Sequence, residues 1–121
     1  MLALDNDRAS AKSQIDYILG FGANETPLVD GKSGSYQVGY GSNWPSQAHH
    51  KAASCPAPPA QCGWDELNSD EPNPWVLYGA LIGGPQEAVD SFENDRGAFV
   101  TNEVALDYNA GFQGVLAALL S

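Results

Sequence analysis

The stretch FENDRGAFVTNEVALDYNAGFQGVLAAL, residues 92–119, carries the longest helical pattern of the chain and a glutamate where that helix is expected to begin. Apolar side chains recur at helical spacing from Val104 to Leu119, beside a stripe of small residues that a second helix could approach closely. The pattern predicts a helix from near Asn102 to the end of the chain. Glu103 then lies in its first turn, where an acidic residue commonly complements the helix dipole.

A second helix is predicted over residues 7–19, because four apolar residues share one helical face: Ala11, Ile15, Ile18 and Leu19. Asp7 is suited to cap the start of this helix and Gly20 to follow its end. The C-terminal helix is expected to have neighbours on more than one side. The sequence supplies one other long helix, so further partners are missing from these 121 residues.

The middle of the chain has about 50 residues without a sustained period, a length that is typical of functional or disordered loops. All 8 prolines lie between Pro27 and Pro85. The 3 tryptophans and several tyrosines argue against disorder, so the interpretation is an ordered, functional loop region. Asn73-Pro74 then opens the apolar run WVLYGALI, residues 75–82, for which a short helix is favoured over a buried strand.

Charge and hydropathy exclude some functions. A formal net charge of −10 argues against binding nucleic acid, whose phosphates need lysine and arginine. No apolar run approaches about 20 residues, so no transmembrane helix and no membrane partner are expected. Met1 is soon followed by Asp5, Asp7 and Arg8, so no signal peptide is visible. The chain is then either cytosolic or begins inside a longer protein.

The stretch HHK, residues 49–51, is a basic cluster in an acidic chain and follows a Gly- and Pro-rich stretch that carries Tyr40 and Trp44. Aromatic rings beside hydrogen-bonding groups suit a sugar, because a ring stacks on the apolar face while polar side chains meet the hydroxyls. A solvated loop is an equal alternative from composition alone.

Cys55 and Cys62 frame the segment PAPPAQ. Zinc sites usually have cysteines two to four residues apart, so this spacing fits zinc poorly even with His49 and His50 nearby. A disulfide ranks first, free thiols second and zinc third. A disulfide would favour a location outside the cell.

Three stretches together carry a resemblance: SYQVGYGSNWPSQAHHKAASCP, PNPWVLYGALIGGP and FENDRGAFVTNEVALDYNAGFQGVLAAL. In this order they resemble the C-terminal part of family-nine glycoside hydrolases, cellulases that cut internal β-1,4-glucosidic bonds with inversion. Residues 24–33 look like additional loop length, and SCPAPPAQC is most similar to the animal branch. The resemblance implies an all-α fold, an (α/α)6 toroid of which residues 1–121 are the C-terminal segment of a single catalytic domain. This segment would hold two or three helices with long ordered loops, in a secreted enzyme that acts on cellulose without a metal or other cofactor.

The resemblance assigns roles to individual residues. Glu103 matches the family's general acid. Its predicted helix start favours the ionised carboxylate, so burial against the sugar and nearby carboxylates would have to favour the protonated form instead. Substrate contacts fall to His49, Lys51 and Tyr108, and Asp95-Arg96 match the structural pair of the family motif.

Three departures bear on activity. Lys51 stands where the family has arginine and lacks its planar fork. Asn94 stands at a family carboxylate position nine residues before the acid. The aspartates that serve as base belong to the family's N-terminal part, which these residues do not include. The alternative is therefore a non-catalytic glucan-binding relative or an inactive fragment.

Overall fold

The computed structural model describes residues 2–22, 26–87 and 92–121, and the backbone alone for residues 2–4. It is helix-rich with few strands. In chain order the elements are α1 (Leu2–Leu19), β1 (Leu28–Val29), β2 (Lys32–Ser33), α2 (Lys51–Ser54), α3 (Trp64–Leu67), α4 (Phe99–Asn102) and α5 (Leu106–Leu120). The strands form one antiparallel hairpin, pairing Leu28 with Ser33 and Val29 with Lys32. This hairpin lies within residues 24–33, which were expected to be additional loop length; residues 24 and 25 lie outside the described residues.

Helix α1 begins earlier than predicted, so Asp7 lies inside the helix and does not cap it. The predicted end is correct. Gly20 has φ +86° and donates its N–H to Tyr17 O at 3.0 Å, while Phe21 N–H donates to Asp16 O at 2.6 Å. These two bonds form a Schellman motif, which satisfies the last carbonyls of a helix and favours glycine at the left-handed position.

The predicted C-terminal helix is interrupted, and Glu103 is not in the first turn of a helix. Glu103 follows the single turn of α4 in extended conformation, φ −64° and ψ 140°, and α5 begins at Leu106. Backbone pairing explains the break, because Gly83 N–H donates to Glu103 O at 2.9 Å and Ile82 bridges to Val104. The helix-dipole interpretation of Glu103 is therefore wrong.

The apolar run at residues 75–82 is also not the helix that was predicted. Gly79 takes φ +87° in a turn, and the residues after it are extended: Leu81 bridges to Gln37 and Ile82 to Val104. Val38 N–H donates to Ala80 O at 2.8 Å. Extended backbone partners on both sides outweigh the helical pattern of so short a run.

The loop region is ordered around a small apolar core. Tyr36, Val38 and Ile82 are buried together, and Trp44 packs against them. Tyr36 meets Phe92 edge-on, with ring centroids 5.3 Å apart. This cluster lies beneath the loops and fixes the segments that lead to residues 44–50.

Helices α1 and α5 pack against each other, and Arg8 of α1 donates to the carbonyls of Ala118 (3.1 Å) and Leu119 near the end of α5. Much of α5 still faces outward; Leu106 is 93% exposed and Leu120 88%. Within the described part of the chain, no helix has the length and apolar character needed to cross a membrane.

The Schellman turn gives a stability prediction. A Cβ at Gly20 would lie 2.5 Å from Gly34 O, whereas a Cβ at Gly31, which also has positive φ, would meet nothing within 4 Å. Gly31→Ala should cost the left-handed strain alone, about 1–2 kcal/mol. Gly20→Ala adds a backbone clash worth about 1–3 kcal/mol more. Urea denaturation of the two variants tests this, and equal losses would contradict the close approach.

Candidate active site

His49 and Glu103 lie on adjacent extended segments. They form a parallel backbone bridge, and His49 N–H donates to Asn102 O at 2.9 Å. Asn102 is fully buried, with its Nδ2 donating to Glu93 O at 2.5 Å, while the Glu103 side chain is exposed. The fold therefore brings together the two residues with the most important predicted roles and leaves the carboxylate accessible.

The ring of His49 is oriented by Arg96. His49 Nδ1 lies 2.7 Å from the backbone oxygen of Arg96, and a carbonyl accepts hydrogen bonds but cannot donate them. Nδ1 therefore carries a proton, and in the neutral ring Nε2 is left as the acceptor. The ring also lies beside Phe99, with centroids 6.1 Å apart. A fixed ring with one defined acceptor can receive a sugar hydroxyl.

Arg96 is 2% exposed, and its guanidinium holds the loop at residues 63–73. Nε donates to Asn73 Oδ1 at 2.8 Å. The two terminal nitrogens donate to three carbonyls, at 2.6–2.9 Å: Glu66 O, Ser69 O and Glu71 O. Burial lowers the pKa of Arg96, and the neighbouring Asp95 carboxylate opposes that shift. The group stays charged, because arginine titrates far above neutral pH.

His49, Lys51 and Trp64 line one cavity of about 390 Å³, together with the Cys55–Cys62 disulfide and Arg96. Because both sulfurs are bonded to each other, the zinc alternative lacks its thiolate ligands. Trp64 is 78% exposed. It begins α3, whose first turn is closed by Gly63 N–H donating to Glu66 Oε2 at 2.6 Å. The cavity thus joins an aromatic face to two hydrogen-bonding side chains.

The other predicted site residues lie elsewhere. Tyr108 is partly buried in the first turn of α5 and is not among the described residues that line the His49 cavity. Asp95 accepts from Gly97 N–H at 2.8 Å and shapes the turn after it. Asn94 faces Ser46, Gln47 and Asp30.

Sequence reasoning misread part of the HHK cluster and missed one aromatic residue. His50 caps α2, with Nδ1 accepting from Ala53 N–H at 3.2 Å, so this nitrogen is occupied in the fold. Tyr40 and Trp44 do not line the His49 cavity; Tyr40 meets Phe21 edge-on. The aromatic residue described as lining this cavity with His49 is Trp64, whose signal was a lone tryptophan within a polar stretch.

The sequence profile described as Glycosyl hydrolase family 9 matches residues 3–116. Endoglucanase 2 of Persea americana is 40% identical over 114 residues, which cover 88% of this chain and 81% of that relative. Endoglucanase 19 of Oryza sativa subsp. japonica is 43% identical over 116 residues, 90% of this chain and 20% of the relative.

Two solved structures are similar. The endoglucanase of the termite Nasutitermes takasagoensis superposes with a TM-score of 0.79 at 47% identity, over 98% of this chain and 25% of that one. Endoglucanase CelQ from Clostridium thermocellum, complexed with cellobiose and cellotriose, gives 0.66 at 42% identity, over 89% and 16%. The chain therefore spans about a fifth of the rice relative and a quarter of the termite enzyme.

The sequence profile and the helix-rich fold of the solved relatives agree, and they place the chain among the glycosyl hydrolases by similarity. The chain belongs to glycosyl hydrolase family 9.

The buried guanidinium gives the second prediction. Arg96→Lys keeps the charge but cannot reach the four acceptors, so it should lose about 3–5 kcal/mol of unfolding free energy, at about 1.5–3 kcal/mol per bond to a charged group. Arg8→Lys is the matched control, because Arg8 also donates to carbonyls but is exposed; its loss should stay within about 0.5 kcal/mol. Urea denaturation measures both, and comparable losses would show that Arg96 does not hold the loop.

Proposed function

We propose that this chain is the C-terminal segment of the catalytic domain of an inverting endo-β-1,4-glucanase, with Glu103 as the general acid. The domain as a whole is an (α/α)6 toroid, to which α1 and α5 contribute. The observation that carries the proposal is the pairing of His49 with Glu103. Membership of the family and the names of its relatives support the reaction.

The geometry suits one half of the chemistry. Inverting hydrolysis needs a protonated carboxyl at the leaving oxygen and a carboxylate about 6.5–9.5 Å away that activates water. Glu103 is exposed and therefore accessible to a substrate. The base comes from a part of the family domain that residues 1–121 do not contain, so this segment supplies the acid and one wall of the cleft.

Substrate contacts are assigned to the His49 cavity and α5. His49 Nε2 accepts from a sugar hydroxyl, Lys51 donates to another, and the exposed face of Trp64 stacks on the apolar side of a glucose ring. Tyr108 contacts the sugar near the bond that is cleaved. The substrate is a β-1,4-glucan, consistent with the cellobiose and cellotriose bound to the CelQ relative.

The enzyme is proposed to be secreted. The Cys55–Cys62 disulfide closes the loop that carries the cavity wall, and disulfides persist in oxidising compartments.

A second candidate is a glucan-binding relative without catalysis. Lys51 favours it, because an ammonium lacks the bidentate geometry of the arginine expected at this position. Such a protein would keep the His49 cavity and bind cellotriose without hydrolysing it.

A chimera tests the acid directly. Residues 3–116 replace the matching quarter of the termite endoglucanase, to which the fold is similar over 98% of this chain. General acid catalysis contributes about 10²–10⁴-fold, so Glu103→Gln should lower kcat on cellulose by that factor with little change in binding. Substrates with an excellent leaving group need less protonation and should be affected less.

The matched control for this experiment is Glu93→Gln, another exposed glutamate of the same stretch. It should leave kcat unchanged. If Glu103→Gln and Glu93→Gln behaved alike in an active chimera, the catalytic assignment would be wrong. Binding of cellotriose without any hydrolysis by the parent chimera would favour the binding protein instead.

The 121-residue chain by itself should not hydrolyse soluble cellulose derivatives. An acid alone does not activate the attacking water, because the base is a separate carboxylate. Reducing-sugar release above that of the Glu103→Gln variant of the same chain would contradict this.

A further inference from the structure

Asn94 makes four hydrogen bonds, and they use both ends of its amide. Oδ1 accepts from Ser46 N–H at 3.0 Å and Gln47 N–H at 3.1 Å. Nδ2 donates to Ser46 Oγ and to Asp30 Oδ2, both at 3.0 Å. The oxygen of the amide therefore acts as an acceptor and its nitrogen as a donor.

A carboxylate at position 94 would keep three of these four contacts, because the Ser46 hydroxyl can donate to it instead of accepting. It accepts from the two N–H groups as well as an amide does. On the other side it would place a carboxylate oxygen about 3 Å from Asp30 Oδ2, and adjacent like charges are destabilising. The asparagine and Asp30 are matched to each other in polarity.

Asp30 comes from the turn between β1 and β2, within residues 24–33, which the resemblance predicts to be additional loop length. It has φ +52°, a conformation that aspartate and asparagine tolerate better than most residues. The hairpin thus brings a carboxylate against position 94, and the residue found there carries a donor.

The segment held by Asn94 leads to His49. Asn73 N–H donates to Ser46 O at 2.8 Å, and Asn73 Nδ2 donates to Ala48 O at 2.9 Å. His49 N–H is bound by Asn102 O. Residues 46–49 are therefore held at every residue, and Asn94 accepts from the backbone N–H groups of Ser46 and Gln47, while Gln47 Nε2 also donates to Asp70 O at 3.0 Å.

We infer that Asn94 is a positioning residue, matched to Asp30, that holds residues 46–49 and so places His49 beside Glu103. Its amide does not mark a lost catalytic carboxylate. The pairing of Asn94 with Asp30 is inferred from the hydrogen bonds. The effect of this pairing on turnover rests on the proposed function.

A charge-swap experiment on the 121-residue chain tests the pairing. Asn94→Asp should raise the unfolding equilibrium constant about tenfold or more, from the like-charge contact. Adding Asp30→Asn restores one donor and one carboxylate with their places exchanged. The unfolding equilibrium constant of the double variant should therefore return to within about threefold of that of the parent. A double variant no more stable than Asn94→Asp would overturn the inference, and so would an Asn94→Asp chain as stable as the parent.

Asn109→Asp is the matched control, because the Asn109 amide also both accepts and donates: Oδ1 accepts from Leu81 N–H, and Nδ2 donates to Gly79 O at 2.8 Å. Asp30→Asn should rescue Asn94→Asp and not Asn109→Asp. Rescue of both would show a general gain from removing a negative charge and would overturn the specific pairing.

Two further readouts separate positioning from stability. The His49 Nδ1 proton resonance should shift in Asn94→Asp, return to its parent position in the double variant and stay in place in Asn109→Asp. An unmoved resonance in folded Asn94→Asp would overturn the positioning role.

In the termite chimera, Asn94→Asp should lower kcat/KM about tenfold and the double variant should restore it, whereas a gain in turnover would show a catalytic carboxylate. An inactive parent chimera would count against the proposed function, while the stability cycle would still decide the pairing.

Discussion

The fold of the loop region depends on burying one guanidinium. Arg96 is almost inaccessible, and burying a charge is costly unless its hydrogen bonds are satisfied. Its partners are three carbonyls and the Asn73 amide, with no carboxylate in ion-pair contact within the described residues. The guanidinium therefore requires the carbonyls of residues 66–71 to converge on it. The position of Trp64 and the shape of the cavity follow from that convergence.

The same residue connects the loop to the chemistry. Its side chain gathers residues 66–73, while its own backbone oxygen receives His49 Nδ1. Asn73 extends the connection, since its Oδ1 accepts from Arg96 and its Nδ2 donates to Ala48 O. Arg96 thus orients the histidine ring and Asn73 holds the backbone before it, and the helices α1 and α5 serve as the frame on which these loops rest. Precise sites on irregular backbone need such supporting contacts, because loops alone do not fix a side chain.

The sequence predicted what local periodicity and local chemistry determine. The two long helices, the left-handed Gly20 and the ordered loop region were all accessible from spacing, glycine and aromatic content. The predicted helix start near Asn102 was wrong because single-residue bridges from Glu103 to His49 and from Val104 to Ile82 extend the backbone there. Such pairings join residues far apart in sequence, and no local pattern reports them. Trp64 was missed for the same reason, since Arg96 and the disulfide bring it to the same cavity as His49.

Asn94 and Lys51, the two positions predicted to depart from the family motif, therefore have different surroundings. Asn94 sits inside a network in which all its hydrogen bonds are made and in which a second carboxylate would repel Asp30. The proposed positioning role of Asn94 therefore depends on the hairpin that carries Asp30. Lys51 is exposed at the edge of the His49 cavity, where nothing compensates for the missing fork. It nevertheless keeps a positive donor beside the histidine, and substrate contacts tolerate a weaker donor more readily than catalysis tolerates a missing acid. Because the Glu103 side chain is accessible, the site supports the proposed enzyme with altered sugar contacts more than the proposed binding protein.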